Sequence, residues 1–133
     1  MAMEREEVLI QSAIDMLAHA YVPYSHFPVG AAIECSDGHI ATGCNIENAS
    51  YGLTLCAERT AAVKAISEGH REFRRIVIVG NSEDFCYPCG ACRQVLSEFG
   101  VDMEVICLNR KRERKRFTLR ELMPFGFDKT KLN

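Results

Sequence analysis

CAERTAAVKAISEGHREFRRIVIV, residues 56–79, joins one helix signal to one strand signal, and its reading decides the fold. Ala61, Ala62, Ala65 and Ile66 extend a helical pattern that begins near Cys56. Gly69 then supplies a good left-handed stop. Ile76-Val77-Ile78-Val79 follows as a short, fully apolar strand. Downstream the alternation repeats, with a helix expected over Cys89 to Gly100 and a strand over Met103 to Leu108. Strands alternating with helices after residue 50 specify an α/β fold. Upstream, Leu9, Ala13, Met16, Leu17 and Ala20 recur at three- and four-residue steps, so Glu4 to Ala20 reads as an amphipathic helix that must stop before Pro23. Val29–Glu34 and Ile40–Asn45 flank Ser36-Asp37-Gly38-His39, where Asp-Gly favours a tight reversal. This hairpin makes the sheet mixed. Thr118 and Glu121 have capping-box spacing for a last short helix ending at Pro124. The expected architecture is a three-layer α/β/α fold with a mixed five-stranded sheet.

The chain has 133 residues, 47% of them hydrophobic. That is enough for one domain, 1–133, burying roughly two-thirds of its unfolded surface, and too little for two good cores. Charged residues make up 26% and the formal net charge is −2, so the balance does not call for nucleic acid or an anionic membrane. The first residues lack the apolar stretch of a signal peptide and no run is long enough to span a membrane, so a soluble, cytoplasmic protein is expected. Seven cysteines then read as reduced thiols and metal ligands rather than a disulfide framework.

Cys56-Ala57-Glu58 and Pro88-Cys89-Gly90-Ala91-Cys92 carry the chemistry. Cys56, Cys89 and Cys92 offer three thiolates, and three protein ligands leave one tetrahedral position of a zinc ion open to water, the mark of a catalytic site. Each Cys group precedes an expected helix, where free N–H groups and the helix dipole stabilise thiolates. Arg59, three residues after Cys56, falls on the same helix face and is expected to draw charge off the sulfurs. Glu58, two residues from Cys56, does not share its direction, and is expected to transfer protons beside the metal. A first-turn acid favoured by the dipole is its plainer alternative. Cys89-x-x-Cys92 alone would also serve a redox dithiol or structural zinc, and Cys86 adds an iron–sulfur-like spacing that Leu96 interrupts. Cys35, Cys44 and Cys107 fall in expected strands as small apolar fillers. His19, His26, His39 and His70 lack ligand spacing and are expected on the surface or in loops.

Cys-x-Glu followed by Pro-Cys-x-x-Cys is the general pattern of zinc-dependent nucleobase deaminases, here with cysteine throughout. Beyond that core, residues 23–30 (PYSHFPVG), 43–49 (GCNIENA), 56–61 (CAERTA) and 88–95 (PCGACRQV) closely resemble the small cytidine deaminases of nucleoside salvage. The likeness runs from the first helix to Glu121-Leu122-Met123-Pro124. It implies hydrolysis of cytidine and deoxycytidine to uridine and deoxyuridine with release of ammonia. It implies one zinc per subunit on Cys56, Cys89 and Cys92, with Glu58 as proton shuttle. By the same resemblance Asn45 and Glu47 hold the ribose 3′-hydroxyl, Phe27 contacts the base, and Ala57 presents its N–H to the pyrimidine carbonyl. A homotetramer with shared sites is also implied, in which Tyr51 and Phe127 serve an adjacent chain.

Residues 110–116, RKRERKR, depart from the family's milder, glycine-containing turn, which leaves the turn and the register of the fifth strand open. A basic strand edge that discourages aggregation is one account of this run, and an RNA-contacting patch is another. Cys86-Tyr87 before Pro88 is bulkier than the small residue often found there. An antibiotic-nucleoside deaminase of the blasticidin type is the alternative enzyme, set against by Phe27 and Asn45-x-Glu47.

Overall fold

The computed structural model describes residues 2–132. Its elements are α1 (Ala2–Asp15), β1 (Val29–Cys35), β2 (Ile40–Cys44), α2 (Ala57–Ser67), β3 (Phe73–Gly80), α3 (Gly90–Ser97), β4 (Glu104–Leu108) and β5 (Arg114–Thr118), with 3-10 turns at Met16–His19, Tyr51–Leu53, Arg120–Leu122 and Lys129–Leu132. The strands form one sheet in the order β2-β1-β3-β4-β5. Only β3 and β4 pair in parallel. The sheet is mixed and five-stranded, as expected.

Apolar side chains sort by strand alternation into two cores. Ile76 and Ile78 join Ala31, Ile33, Val105, Ala61 and Leu96 on the side of α2 and α3. Val77 and Val79 join Leu9, Ile10, Ala13, Ala32 and Ile106 on the side of α1. The run 76–79 is apolar throughout because β3 is central and covered on both faces. Each such branched side chain contributes roughly 1.5–3 kcal/mol on burial.

Several expected boundaries move. Helix α1 stops at Asp15, and the segment to His19 narrows into a 3-10 turn closed by Ala20 N donating to Leu17 O. Helix α3 ends at Ser97 instead of Gly100 because Glu98 and Phe99 donate to carbonyls only three residues back. The capping box forms, with Thr118 N to Glu121 Oε1 at 2.8 Å and Glu121 N to Thr118 Oγ1 at 3.2 Å, but it starts a 3-10 turn.

The fifth strand needs no glycine because Asn109 builds its turn. Its buried Oδ1 accepts from Lys111 N and Glu113 N, each at 3.0 Å, while Nδ2 donates to Glu113 Oε1 at 2.7 Å. Arg112 takes the left-handed place with φ 64°, a strain of about 1–2 kcal/mol that this network offsets. Past the turn, β5 alternates its cations. Arg114 and Arg116 reach Glu6 on α1, each at 2.5 Å, and Arg114 also bonds Glu7. Arg75 joins Glu6 to the buried Glu34 at 3.3 and 2.8 Å. Lys115 faces the opposite layer, 4.8 Å from the Phe85 ring centre and 3.2 Å from Tyr87 Oη. Arg110 pairs with Glu83 and Arg112 donates to Gln11. The basic run is therefore largely spent on neighbours within the chain.

Candidate metal centre and active site

Cys56 and Cys89 occupy equivalent places. Each is the extended residue before a helix, with φ −72° and ψ 155° at Cys56 and φ −70° and ψ 170° at Cys89. Both helices lie on one face of the sheet, and Cys92, fully buried, sits in the first turn of α3. The three Sγ atoms lie within 4.8 Å of one another, and those of Cys56 and Cys89 are 3.9 Å apart. Two sulfurs held by one tetrahedral zinc at ~2.3 Å stand ~3.8 Å apart, so the spacing fits that ion.

Arg59 turns back over this cluster. Its Nη2 donates to Cys56 Sγ at 3.6 Å and to Thr54 O at 3.1 Å. Its buried Nε has no hydrogen-bond partner among the described residues, so the group keeps a donor in reserve. Hydrogen bonding with Cys92 first, then with Arg59 and Cys89, holds the Cys56 thiol well below the usual range, while the shared proton and burial push Cys92 up.

Glu58 is 4% exposed at the second position of α2. Burial pushes its carboxyl up to about 7, and the negative charge on Cys56 adds to the rise. A carboxyl titrating near neutrality can both take and give a proton. Cys86 and Cys107 are near enough to feel Glu58, but burial pushes both up to about 12, leaving them unreactive.

Helix α2 is seated by small residues. Ala57, Ala61, Ala62 and Ala65 are all buried against the sheet. At Gly43 of β2 a side chain would stand 2.4 Å from Ala57 O and 2.5 Å from Ala61 N. Backbone thus meets backbone one residue from Cys56. Ala57 opens the helix, so its N–H belongs to the first-turn donors that lack an intrahelical acceptor.

Glu47 is fixed by the 24–25 loop. Its Oε1 accepts from Tyr24 N at 3.0 Å and Ser25 N at 3.1 Å, and Oε2 accepts from Ser25 Oγ at 2.5 Å. These bonds, led by the Ser25 hydroxyl, hold its carboxyl below the ordinary value. Asn45 ties the same loop to β1, accepting from Val29 N and donating to Phe27 O, each at 2.9 Å. The Phe27 ring lies over the end of β3, where a Cβ on Gly80 would stand 2.9 Å from it. Glu47, Tyr24, Ser25, Tyr51 and Thr54 line a cavity of about 310 Å³, within the usual range for small-molecule clefts. Thr54 connects it to the thiols through Arg59. Tyr51 is 74% exposed, with its ring edge-on to Tyr24 at 5.7 Å. Phe127 lies elsewhere, beside Ser97, Val101 and Met123, with its carbonyl accepting from Gln94.

Sequence reasoning gave no role to Ser25, Thr54 or Arg93. Arg93 donates to Pro88 O at 2.8 Å and Leu122 O at 2.9 Å, bracing the segment before Cys89. Ser25 and Arg93 sit inside the stretches quoted for the resemblance; Arg93 bonds backbone carbonyls and Ser25 meets Glu47 from 22 residues away, and neither contact leaves a mark in short-range side-chain spacing.

Residues 3–108 match the model of the cytidine and deoxycytidylate deaminase zinc-binding region. A probable cytidine deaminase of Dictyostelium discoideum is 47% identical over 133 residues, covering 99% of this chain and 90% of that protein. The crystal structure of the cytidine deaminase from Burkholderia pseudomallei superposes with a TM-score of 0.88 at 44% identity, covering 91% of this chain and 98% of that one. The chain belongs to the cytidine and deoxycytidylate deaminase family. Zinc is the metal of this family, and Cys56, Cys89 and Cys92 form a donor set that fits it. A blasticidin-S deaminase of Bacillus cereus is more distant, at 30% identity over 127 residues. No described helix is long and apolar enough to cross a membrane.

Proposed function

We propose that this single-domain chain is a zinc-dependent hydrolase that converts cytidine and deoxycytidine to uridine and deoxyuridine, releasing ammonia. One observation carries the assignment: a buried carboxyl, Glu58, stands two residues from Cys56 at a cluster of three converging thiols. Bound zinc, one per subunit, supplies the Lewis acidity that makes water nucleophilic at neutral pH. Cys56, Cys89 and Cys92 would hold it, and Arg59 would spread their excess negative charge.

Glu58 takes a proton from the attacking water as oxygen adds to C4 of the pyrimidine, and delivers one to ring N3. It then takes the proton of the new C4 hydroxyl and passes it to the exocyclic amine, which leaves as ammonia while the C4 carbonyl forms. Ala57 N–H orients the ring through its carbonyl, and Phe27 covers its face. Glu47 and Asn45 would bind the ribose 3′-hydroxyl as acceptor and donor. The loop contacts of Glu47 favour its carboxylate form, and the Asn45 amide has a second N–H besides the one bonded to Phe27 O.

The exposed side chains of Tyr51 and Phe127 support the family's homotetramer, in which each would complete a neighbour's pocket. A cytoplasmic location accords with reduced thiol ligands. The pairing of the 110–116 arginines with acids and Gln11 speaks against the RNA-bound alternative.

The test is ammonia release from cytidine, deoxycytidine and blasticidin S, before and after zinc removal and refilling. Zinc-dependent turnover of the first two is expected. Turnover of the antibiotic alone, or release indifferent to chelation, would overturn the assignment.

A further inference from the structure

A second cluster of ligand atoms lies at the far end of α2 from the catalytic thiols. Cys35 at the end of β1, Asp37 in the β1–β2 turn and His70 just beyond α2 bring a sulfur, a carboxylate oxygen and a ring nitrogen within 4.8 Å of one another. We propose that these three residues form a second site for a borderline-soft divalent ion, zinc above all, which staples the β1–β2 turn to the α2–β3 connection.

The parts are held from several directions. Cys35 N donates to His39 O at 2.8 Å and Gly38 N to Cys35 O at 2.9 Å, closing the turn; Ser36 N donates to Glu72 O at 2.9 Å, joining it to the other segment. The His70 ring is stacked on His39 at 4.0 Å with 6° between planes, and its Nδ1 stands 2.5 Å from Asp37 Oδ2. A cavity of about 310 Å³ opens beside Cys35, Asp37 and His70. His70 N donates to Ala65 O at 2.9 Å, which fixes His70 just past the last turn of α2.

The donor chemistry narrows the occupant. Sulfur, imidazole and carboxylate together are the mixture zinc accepts, with a fourth position left for water, whereas calcium and magnesium take oxygen. A nucleophilic role for Cys35 is set against by burial, which pushes its thiol up to about 11. On binding, Cys35 gives up its thiol proton to solvent, and the ion takes the place of the hydrogen bond between His70 Nδ1 and Asp37 Oδ2, any proton held there passing to Nε2 or to solvent. No chemistry at the catalytic cluster is involved, because α2 separates the two by about 16 Å of helix, eleven residues at ~1.5 Å each.

The experiment counts zinc per chain by mass spectrometry after equilibrium dialysis at low-micromolar free zinc, in wild type, His70→Ala and Asp37→Asn. Both substitutions are at solvent-accessible side chains. Wild type is expected to hold two equivalents and each variant one, with ammonia release unchanged and a further rise in Tm on binding of the second equivalent that each variant lacks. A single equivalent in wild type, or a second one that survives in both variants, would overturn the proposal.

Discussion

At the scale of single residues, Glu58 matters because its environment sets its protonation. Burial holds the carboxyl near neutrality, whereas Glu47, tied to Ser25 and two backbone N–H groups, stays ionised. The two carboxylates are thereby suited to the separate tasks proposed for them. Glu58→Gln preserves shape and removes the proton carrier. Its zinc content is expected to stay at the wild-type value while kcat falls by about 100-fold or more. Near-normal turnover in that variant would refute the proton-shuttle role. The thiols and Glu58 were legible in the sequence because zinc chemistry demands those residue types at that spacing. Cys35, Asp37 and His70 were not: His70 is remote in sequence from the other two, and Cys35 looks like filler in a strand.

Among the elements, α2 and α1 show two ways of docking a helix on this sheet. Helix α2 has no side chain to spare at Gly43, so Gly43→Ala must push backbone away from backbone. A loss of about 1–3 kcal/mol in urea unfolding is expected, with reduced activity as Cys56 and Glu58 shift together. Helix α1 is clamped by charge through Glu6. Arg116 first, then Arg114, hold the Glu6 carboxyl below its ordinary 4.5. A depressed carboxyl stabilises the fold above its unfolded value and loses that contribution as pH falls through the lower folded value. Glu6→Gln is therefore expected to cost about 1.5–3 kcal/mol at neutral pH, with the gap to wild type closing below pH ~4.5. A gap that persists unchanged at pH 3 would assign the loss to packing. The helices and strands followed from apolar periodicity, yet the clamp did not. Arginines in β5 and acids in α1 stand at opposite ends of the chain, so charge patterning along a short window shows a basic run without its partners.

For the whole molecule, exposed apolar side chains remain after both cores are filled. Tyr51, Leu53, Val63, Phe125, Phe127 and Leu132 are all more than half exposed. The proposed homotetramer would cover such groups, and sedimentation equilibrium is expected to give four chains per particle. Shared pockets make a sharper prediction: co-refolded Tyr51→Ala and Glu58→Gln chains are expected to regain part of the activity each lacks alone. A monomer that is fully active at nanomolar concentration would end the shared-site arrangement. At this scale the sequence offers an expectation only through family resemblance, since apolar periodicity along one chain does not mark which side chains face a copy of itself.

Alanine and glycine contact at the base of α2 has one more consequence. With no rotamer between Gly43 and the helix backbone, thermal repacking elsewhere in the interior has little lever on the catalytic end of the helix. Substitutions in the α1 core should therefore erode the melting temperature well before they disturb turnover. The enzyme can drift in sequence on one side of its sheet while the reacting groups on the other side keep their alignment.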